Sequence, residues 1–243
     1  VSQVHIVIQV KGGAGKSFIS ASLAQYFAGV EKDLICIDAD SGNPTFSGYK
    51  GLNVNPVDIQ DGHNINQRAF DQIVEKFIEA EAETVFVMDT GGSTFMPLCA
   101  YLKEADVLQL LRDNGVEVMF HVPVASGGAV RDTANGLNAL LENFTETPVV
   151  LWQNELEGPV VLNGTPLLES ALYTSNVTRF HALGTVRRWS KDTFGPDIQE
   201  MLDKRLTYKE ACAKDNKAFS IMSKQRLRTV WADLEAQISK MNL

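Results

Sequence analysis

Apolar residues in this chain fall into short runs alternating with stretches of helical spacing. Val4 to Val10, interrupted by His5 and Gln9, reads as a buried strand, and Phe18 to Phe27 behind it has helical apolar spacing. Asp33–Asp38 is a second strand ending in an acid, with Gly29 as a stop for the helix before it. Ala39 to Gly62 is polar and rich in Gly, Asn and Pro, the composition of a long functional loop with little regular structure. Asn66–Ala80 is periodic through Phe70, Ile73, Val74, Phe77 and Ile78, and Glu79–Glu83 is a short acidic link. Thr84–Asp89 is a third buried strand, with Thr90–Ser93 a flexible turn and helical material through Leu111. Gly115–Val124 and Pro148–Trp152 are further strands, separated by a helix to about Asn143.

Such alternation predicts a three-layer α/β fold, a mostly parallel central sheet with helices on both faces joined by right-handed crossovers. Ligands then bind beyond the carboxyl ends of the strands, where Asp38, Asp89 and Asn154 fall. Beyond Gly158 the pattern loosens. A hairpin is expected around Asn163-Gly164, its second arm an edge because of Pro166. Helices follow near Asp197–Lys204, Tyr208–Lys214 and Ala218–Met241. No linker, repeat or low-complexity tract interrupts the chain. Residues 1–243 are expected to form a single domain, with a core over about 1–155 and a hairpin and helical part over about 156–243.

Between the first strand and the first helix stands Val10-Lys11-Gly12-Gly13-Ala14-Gly15-Lys16-Ser17. Strand, glycine-rich turn and helix is the context of a triphosphate site. Backbone N–H groups in such a turn converge on an anion, and the helix N-terminus adds its own. Gly12, Gly13 and Gly15 keep side chains clear of the phosphates, Lys16 reaches the outer ones, and the Ser17 hydroxyl is the expected Mg²⁺ ligand. The strict pattern asks for Gly where Val10 stands, so the loop is a deviant form with an added lysine. The bland alternative is a plain strand-to-helix turn, for which two lysines beside three glycines are poor choices.

Composition changes this picture little. Hydrophobic content of 44% and charged content of 21% are ordinary for a soluble globular protein, and the net charge of −8 argues against a surface dedicated to nucleic acid. DNA contact is possible but not evident. No apolar run spans a bilayer and no secretory signal is visible, which points to the cytoplasm. Cys36, Cys99 and Cys212, and the histidines at 5, 63, 121 and 181, are scattered without metal-ligand spacing.

The acids complete a candidate site. Asp89, ending an apolar strand, is placed like a Walker B aspartate acting on Mg²⁺ through water, or else caps the next turn. Asp38 and Asp40 are two residues apart in an extended segment and so face opposite ways. The sensible division sends Asp38 to the metal shell and Asp40 toward the γ-phosphate, where it orients or deprotonates water; Asp40 as a plain loop acid is the alternative. Lys11 needs a task that Lys16 does not perform. A cation given across a subunit interface stabilises a transferring phosphoryl group, which implies a symmetric ATP-bound homodimer; a solvated lysine is the alternative. Phe219, Met222, Leu227, Val230, Trp231, Leu234, Ile238 and Met241 make an apolar stripe that suits core packing or a membrane-surface helix. Arg187-Arg188-Trp189 with Lys191 is a small basic cluster beside an aromatic.

The lysine-bearing loop, Asp38-Ala39-Asp40 and Val85–Asp89 followed by Thr90-Gly91-Gly92 resemble the ParA/MinD-type ATPases. The chain is also similar to the TraL proteins of plasmid conjugative-transfer regions, in Asn43–Lys50, Ser93–Leu98, Thr193-Phe194-Gly195, Arg205–Thr207 and Met222–Leu227. The resemblance implies Lys11 as the signature lysine, Lys16 on the outer phosphates, Ser17 on Mg²⁺, and Asp38 and Asp89 in the metal's outer shell. It implies Asp40 as water-orienting and Asn154 near adenine. Phe18 stands where many relatives carry a hydroxyl, which leaves the α-phosphate contact there to backbone. ATP and Mg²⁺ are the implied cofactors, and an ATP-driven dimerisation switch that serves a conjugation or partition apparatus is the implied function. A carboxylate-activating ligase on the same scaffold and a non-hydrolysing nucleotide-binding adaptor are the rival readings.

Overall fold

In the computed structural model, which describes residues 1–61 and 64–243, the chain opens with β1 (Ser2–Val7), the phosphate loop and α1 (Lys16–Gly29). Then come β2 (Leu34–Ala39), β3 (Asn55–Pro56), the short pair β4 (Gln60–Asp61) and β5 (Asn64–Ile65), α2 (Gln67–Glu79) and β6 (Val85–Thr90). Gly62, the expected end of the long loop, and His63 lie outside the described residues. The chain continues through α3 (Phe95–Glu104), α4 (Val107–Asp113), β7 (Val116–Ala125), α5 (Val130–Asn143) and β8 (Val149–Asn154). It ends with β9 (Val161–Leu162), β10 (Thr165–Pro166), α6 (Ala171–Thr174), β11 (Phe180–Val186), α7 (Phe194–Asp203), α8 (Tyr208–Ala211) and α9 (Ile221–Ile238).

Seven strands form the central sheet in the order β11–β8–β7–β1–β6–β2–β3, and every neighbouring pair is parallel. The expected three-layer fold is therefore present. One face carries Val4, Ile6, Ile8, Phe86 and Val122 against apolar residues of α2 to α5. The other carries Val7, Val85, Val87 and Trp152 against Ile19, Leu23 and Phe27 of α1 and Ile238 of α9. With β1 at the centre, its carboxyl end delivers the phosphate loop to the middle of the sheet. Register puts Val7 opposite Asp89 and Asp89 opposite Asp38, so the two acids line up on one side of the loop.

Several boundaries differ from the sequence reading. β1 ends at Val7 because Ile8 to Val10 already leave the ladder for the loop. The segment after Asp40 is ordered by burial: Phe46, Tyr49, Leu52 and Ile59 are inside, two 3₁₀ turns occupy 46–48 and 50–52, and β3 extends the sheet. The Asn163-Gly164 hairpin forms as expected, with both residues at positive φ and Pro166 opposite Val161. β11 is a seventh strand that the periodicity did not reveal. α9 starts at Ile221, capped by the Ser220 hydroxyl, and buries Leu227, Val230, Leu234 and Ile238 in the core; Met222 lies off that face and is exposed.

Candidate nucleotide site

The phosphate loop is shaped by contacts as well as by its glycines. Gly15 takes φ +101, and a Cβ there would stand 2.8 Å from Asn154 Nδ2. That Asn154 amide donates to Ala14 O at 2.9 Å, while its oxygen accepts from the Leu156 N–H at 3.2 Å. Asn154, buried at the end of β8, thus braces the loop from below. Gln9 does the same at the loop's start. Its amide donates to Pro123 O and Thr133 O, and its oxygen accepts from the Val10 N–H. Space around Gly12 and Gly13 is open, as an anion cradle requires.

Lys16, the first residue of α1, is buried and donates to Lys11 O at 3.2 Å. Burial lowers its pKa, against the opposing pull of the Asp89 and Asp40 carboxylates. A desolvated ammonium beside converging N–H groups suits an anion of several charges. Ser17 Oγ donates to Asp89 Oδ2 at 2.6 Å, and Ser20 Oγ lies 3.0 Å from Asp89 Oδ1. Fully buried, Asp89 has its carboxyl pushed up to about 7, chiefly by desolvation. A hydroxyl ligand with a carboxylate behind it, beside an open anion cradle, fits Mg²⁺ with a nucleotide, since that ion takes few protein ligands and keeps waters and phosphate oxygens.

Asp38 points into its own loop. It accepts the Asp40 N–H at 3.0 Å and the Ser47 N–H at 2.7 Å, and burial raises its pKa. It therefore anchors the segment that carries Asp40. The Asp40 carboxylate projects over Gly91, where a Cβ would lie 2.7 Å from Oδ1. Close approach is the reason for Gly91, where the sequence suggested flexibility. Lys11 stands outside the pocket and pairs with Asp132 at 3.0 Å, both side chains about half exposed.

Phe18, Leu156, Val186 and Trp189 line a small apolar cavity of about 80 Å³ beside Gly15 and Asn154. The basic cluster has structural partners: Arg187 pairs with Asp233 at 2.9 Å, and Trp189 stacks on Phe194. Sequence reasoning missed Gln9, Ser20 and Gly91 as builders of the site. Gln9 was visible as a polar break in an apolar strand. Ser20 carried only a weaker signal, a hydroxyl one helical turn past Ser17.

Strand, cradle, buried lysine and paired acids define a P-loop nucleotide-binding protein, and comparison with known proteins agrees. The CobQ/CobB/MinD/ParA nucleotide binding domain matches residues 5–241, and the chain belongs to this family. Within it, the chain is 41% identical over 239 residues to a protein TraL of Escherichia coli, covering 98% of each. In fold it resembles a chain of the MinC:MinD cell division protein complex of Aquifex aeolicus, with a TM-score of 0.58, 13% identity, and 100% of this chain and 96% of that one covered. It also resembles the septum site-determining protein MinD complexed with Mg-ADP from Pyrococcus horikoshii OT3, with a TM-score of 0.52, 12% identity, and 100% and 98% covered. The chain is thus a member of the ParA/MinD-type P-loop ATPases, related to the TraL proteins. No helix among the described residues is long and apolar enough to cross a membrane.

Proposed function

We propose that this chain is a Mg²⁺-dependent ATPase whose ATP-bound form pairs with a second copy and acts as a switch in plasmid transfer or partition. The observation that carries the reading is the division of labour between two lysines. Lys16 is buried in the cradle, while Lys11 is exposed outside it on the face that holds Asp132. A lysine in that position serves a neighbour more readily than its own pocket.

In this reading Lys16 and the loop N–H groups hold the β- and γ-phosphates, Ser17 would ligate the metal, and Asp89 would act on it through water. Bound Mg²⁺ would supply charge neutralisation on the phosphate oxygens. Asp38 keeps the Asp40 segment in place, and Asp40 orients water at the γ-phosphate. The base lies against Phe18 and Trp189. Asn154, its amide engaged with backbone, holds the wall of that slot. The hollow of about 320 Å³ lined by Val10, Lys11, Met96 and Asp132 is the surface a second copy covers. The TraL relationship supports a role in conjugative transfer, and MinD-like folds support a positioning switch.

The test is molecular mass in solution with ATP, with ADP and without nucleotide, using Asp40→Ala to slow turnover. A dimer with ATP alone is expected. A monomer under all three conditions, with ATP shown to be bound, would leave the adaptor reading standing. Lys16→Ala is expected to abolish binding in titration calorimetry, and heat equal to that of the unaltered protein would refute the phosphate assignment.

A further inference from the structure

We propose that Ser20 is a positioning residue for the metal side of the site, holding the Asp89 carboxylate in the orientation that Mg²⁺ requires. The inference rests on the reading that Ser17 ligates the metal with Asp89 in its outer shell, and it adds a residue that the phosphate-loop pattern does not contain.

Ser17 and Ser20 lie three positions apart on α1, so both hydroxyls face β6. Each takes one oxygen of the same carboxylate: Ser17 Oγ is 2.6 Å from Asp89 Oδ2, and Ser20 Oγ is 3.0 Å from Oδ1. Ser20 is fully buried, and its other acceptor in reach is Lys16 O at 3.1 Å. A hydroxyl has one proton to give. The charged oxygen is the stronger acceptor, so the bond to Asp89 takes precedence.

One donor would leave the carboxylate free to turn about its last torsion. Two donors on one rigid helix fix its plane. Ser17 can lend a lone pair to a cation and still give its proton to Oδ2, whereas Ser20 has no part in ligation and serves only to hold Oδ1. Remove it, and a buried acceptor loses its partner. The group then rotates, and the metal's outer shell is disturbed. Partners of this kind are worth roughly 10–100-fold in metal affinity.

A plain tie between α1 and β6 would use the same bond, so the experiment must separate the two. A fluorescent ATP analogue is titrated into the full chain in EDTA and then at stepwise Mg²⁺, for the unaltered protein, Ser17→Ala, Ser20→Ala and Ser20→Cys. Ser20→Ala is expected to bind metal-free analogue normally but to need roughly 10–100-fold more Mg²⁺ for the same gain in affinity. Ser20→Cys, a weaker donor of similar size, is expected to fall between, and it also guards against a misfolded alanine variant. Should Ser20→Ala keep a normal Mg²⁺ midpoint while Ser17→Ala shifts, the positioning role is wrong. Equal losses with and without metal in both Ser20 variants would make the bond a structural tie. No analogue binding by the unaltered protein would instead overturn the nucleotide reading itself.

Discussion

At the scale of single residues, exposure decides what Lys11 can do. An ion pair open to water, such as Lys11–Asp132 at 3.0 Å, holds a side chain with about 1 kcal/mol or less. That is too little to keep Lys11 from a triphosphate on a facing subunit. Lys11→Ala should therefore change the unfolding free energy from urea titration by less than about 1 kcal/mol and leave ATP affinity nearly intact, yet abolish the ATP-dependent dimer. A variant that still doubles its mass with ATP would refute the trans role. Gly91 is constrained in another way. A methyl group there meets Asp40 Oδ1 at 2.7 Å, so the carboxylate must move aside. Gly91→Ala should bind ATP normally but hydrolyse it roughly 100-fold more slowly, the scale expected from misplacing a catalytic group by about an ångström. Unchanged phosphate release would remove Asp40 from the reacting centre.

At the scale of elements, α9 joins the C-terminal part to the sheet. Ile238 is fully buried among Val150, Trp152 and Phe27. Ile238→Ala should cost about 2–5 kcal/mol and lower the midpoint of one cooperative unfolding transition. Two separated transitions would contradict a single domain. The core strands were legible because they are fully buried and mostly apolar: β6 buries all of Val85–Thr90, and its Val85–Met88 run has no polar gap. β11 was not. It is an edge strand that buries only Gly184 and Val186, and Gly184 lies against the Trp152 ring, so its seven residues show neither an apolar run nor strict alternation. The stripe on α9 was legible in outline, but the Ser220 cap sets the start of the helix and leaves Met222 off the packed face. In the site, local chemistry was readable: lysine, glycines and terminal aspartates announce themselves within a few residues. The supports were harder, since Gln9 reaches Thr133 and Asn154 reaches Ala14, partners that only the folded chain brings together.

At the scale of the whole molecule, a buried relay governs how stability responds to acid. The Trp152 indole can only donate, and it gives its N–H to His121 Nδ1 at 3.1 Å. His121 Nε2 must then carry its proton toward His5 Nδ1 at 3.0 Å, and both rings are held neutral. Burial pushes His5 down to about 3 and His121 well below its ordinary value. Below about pH 6.5 the unfolded chain takes up protons at both rings that the fold refuses, so acidification destabilises by about 1.4 kcal/mol per pH unit for each. Asp89 acts with the opposite sign. Its carboxyl, raised to about 7, binds a proton in the fold before the unfolded chain does, which offsets part of the loss as pH drops from 7 toward 4. Asp38, also raised by burial, works in the same direction. The two effects separate on substitution. His5→Gln keeps an acceptor for His121 and removes one titrating ring while both aspartates stay. In urea unfolding of the nucleotide-free protein between pH 6.5 and 4, this variant should therefore lose stability less steeply than the unaltered chain, by about 1.4 kcal/mol per pH unit. Parallel pH profiles would mean that His5 takes up its proton in the fold as readily as in the unfolded chain, and would refute a neutral His5 in the relay.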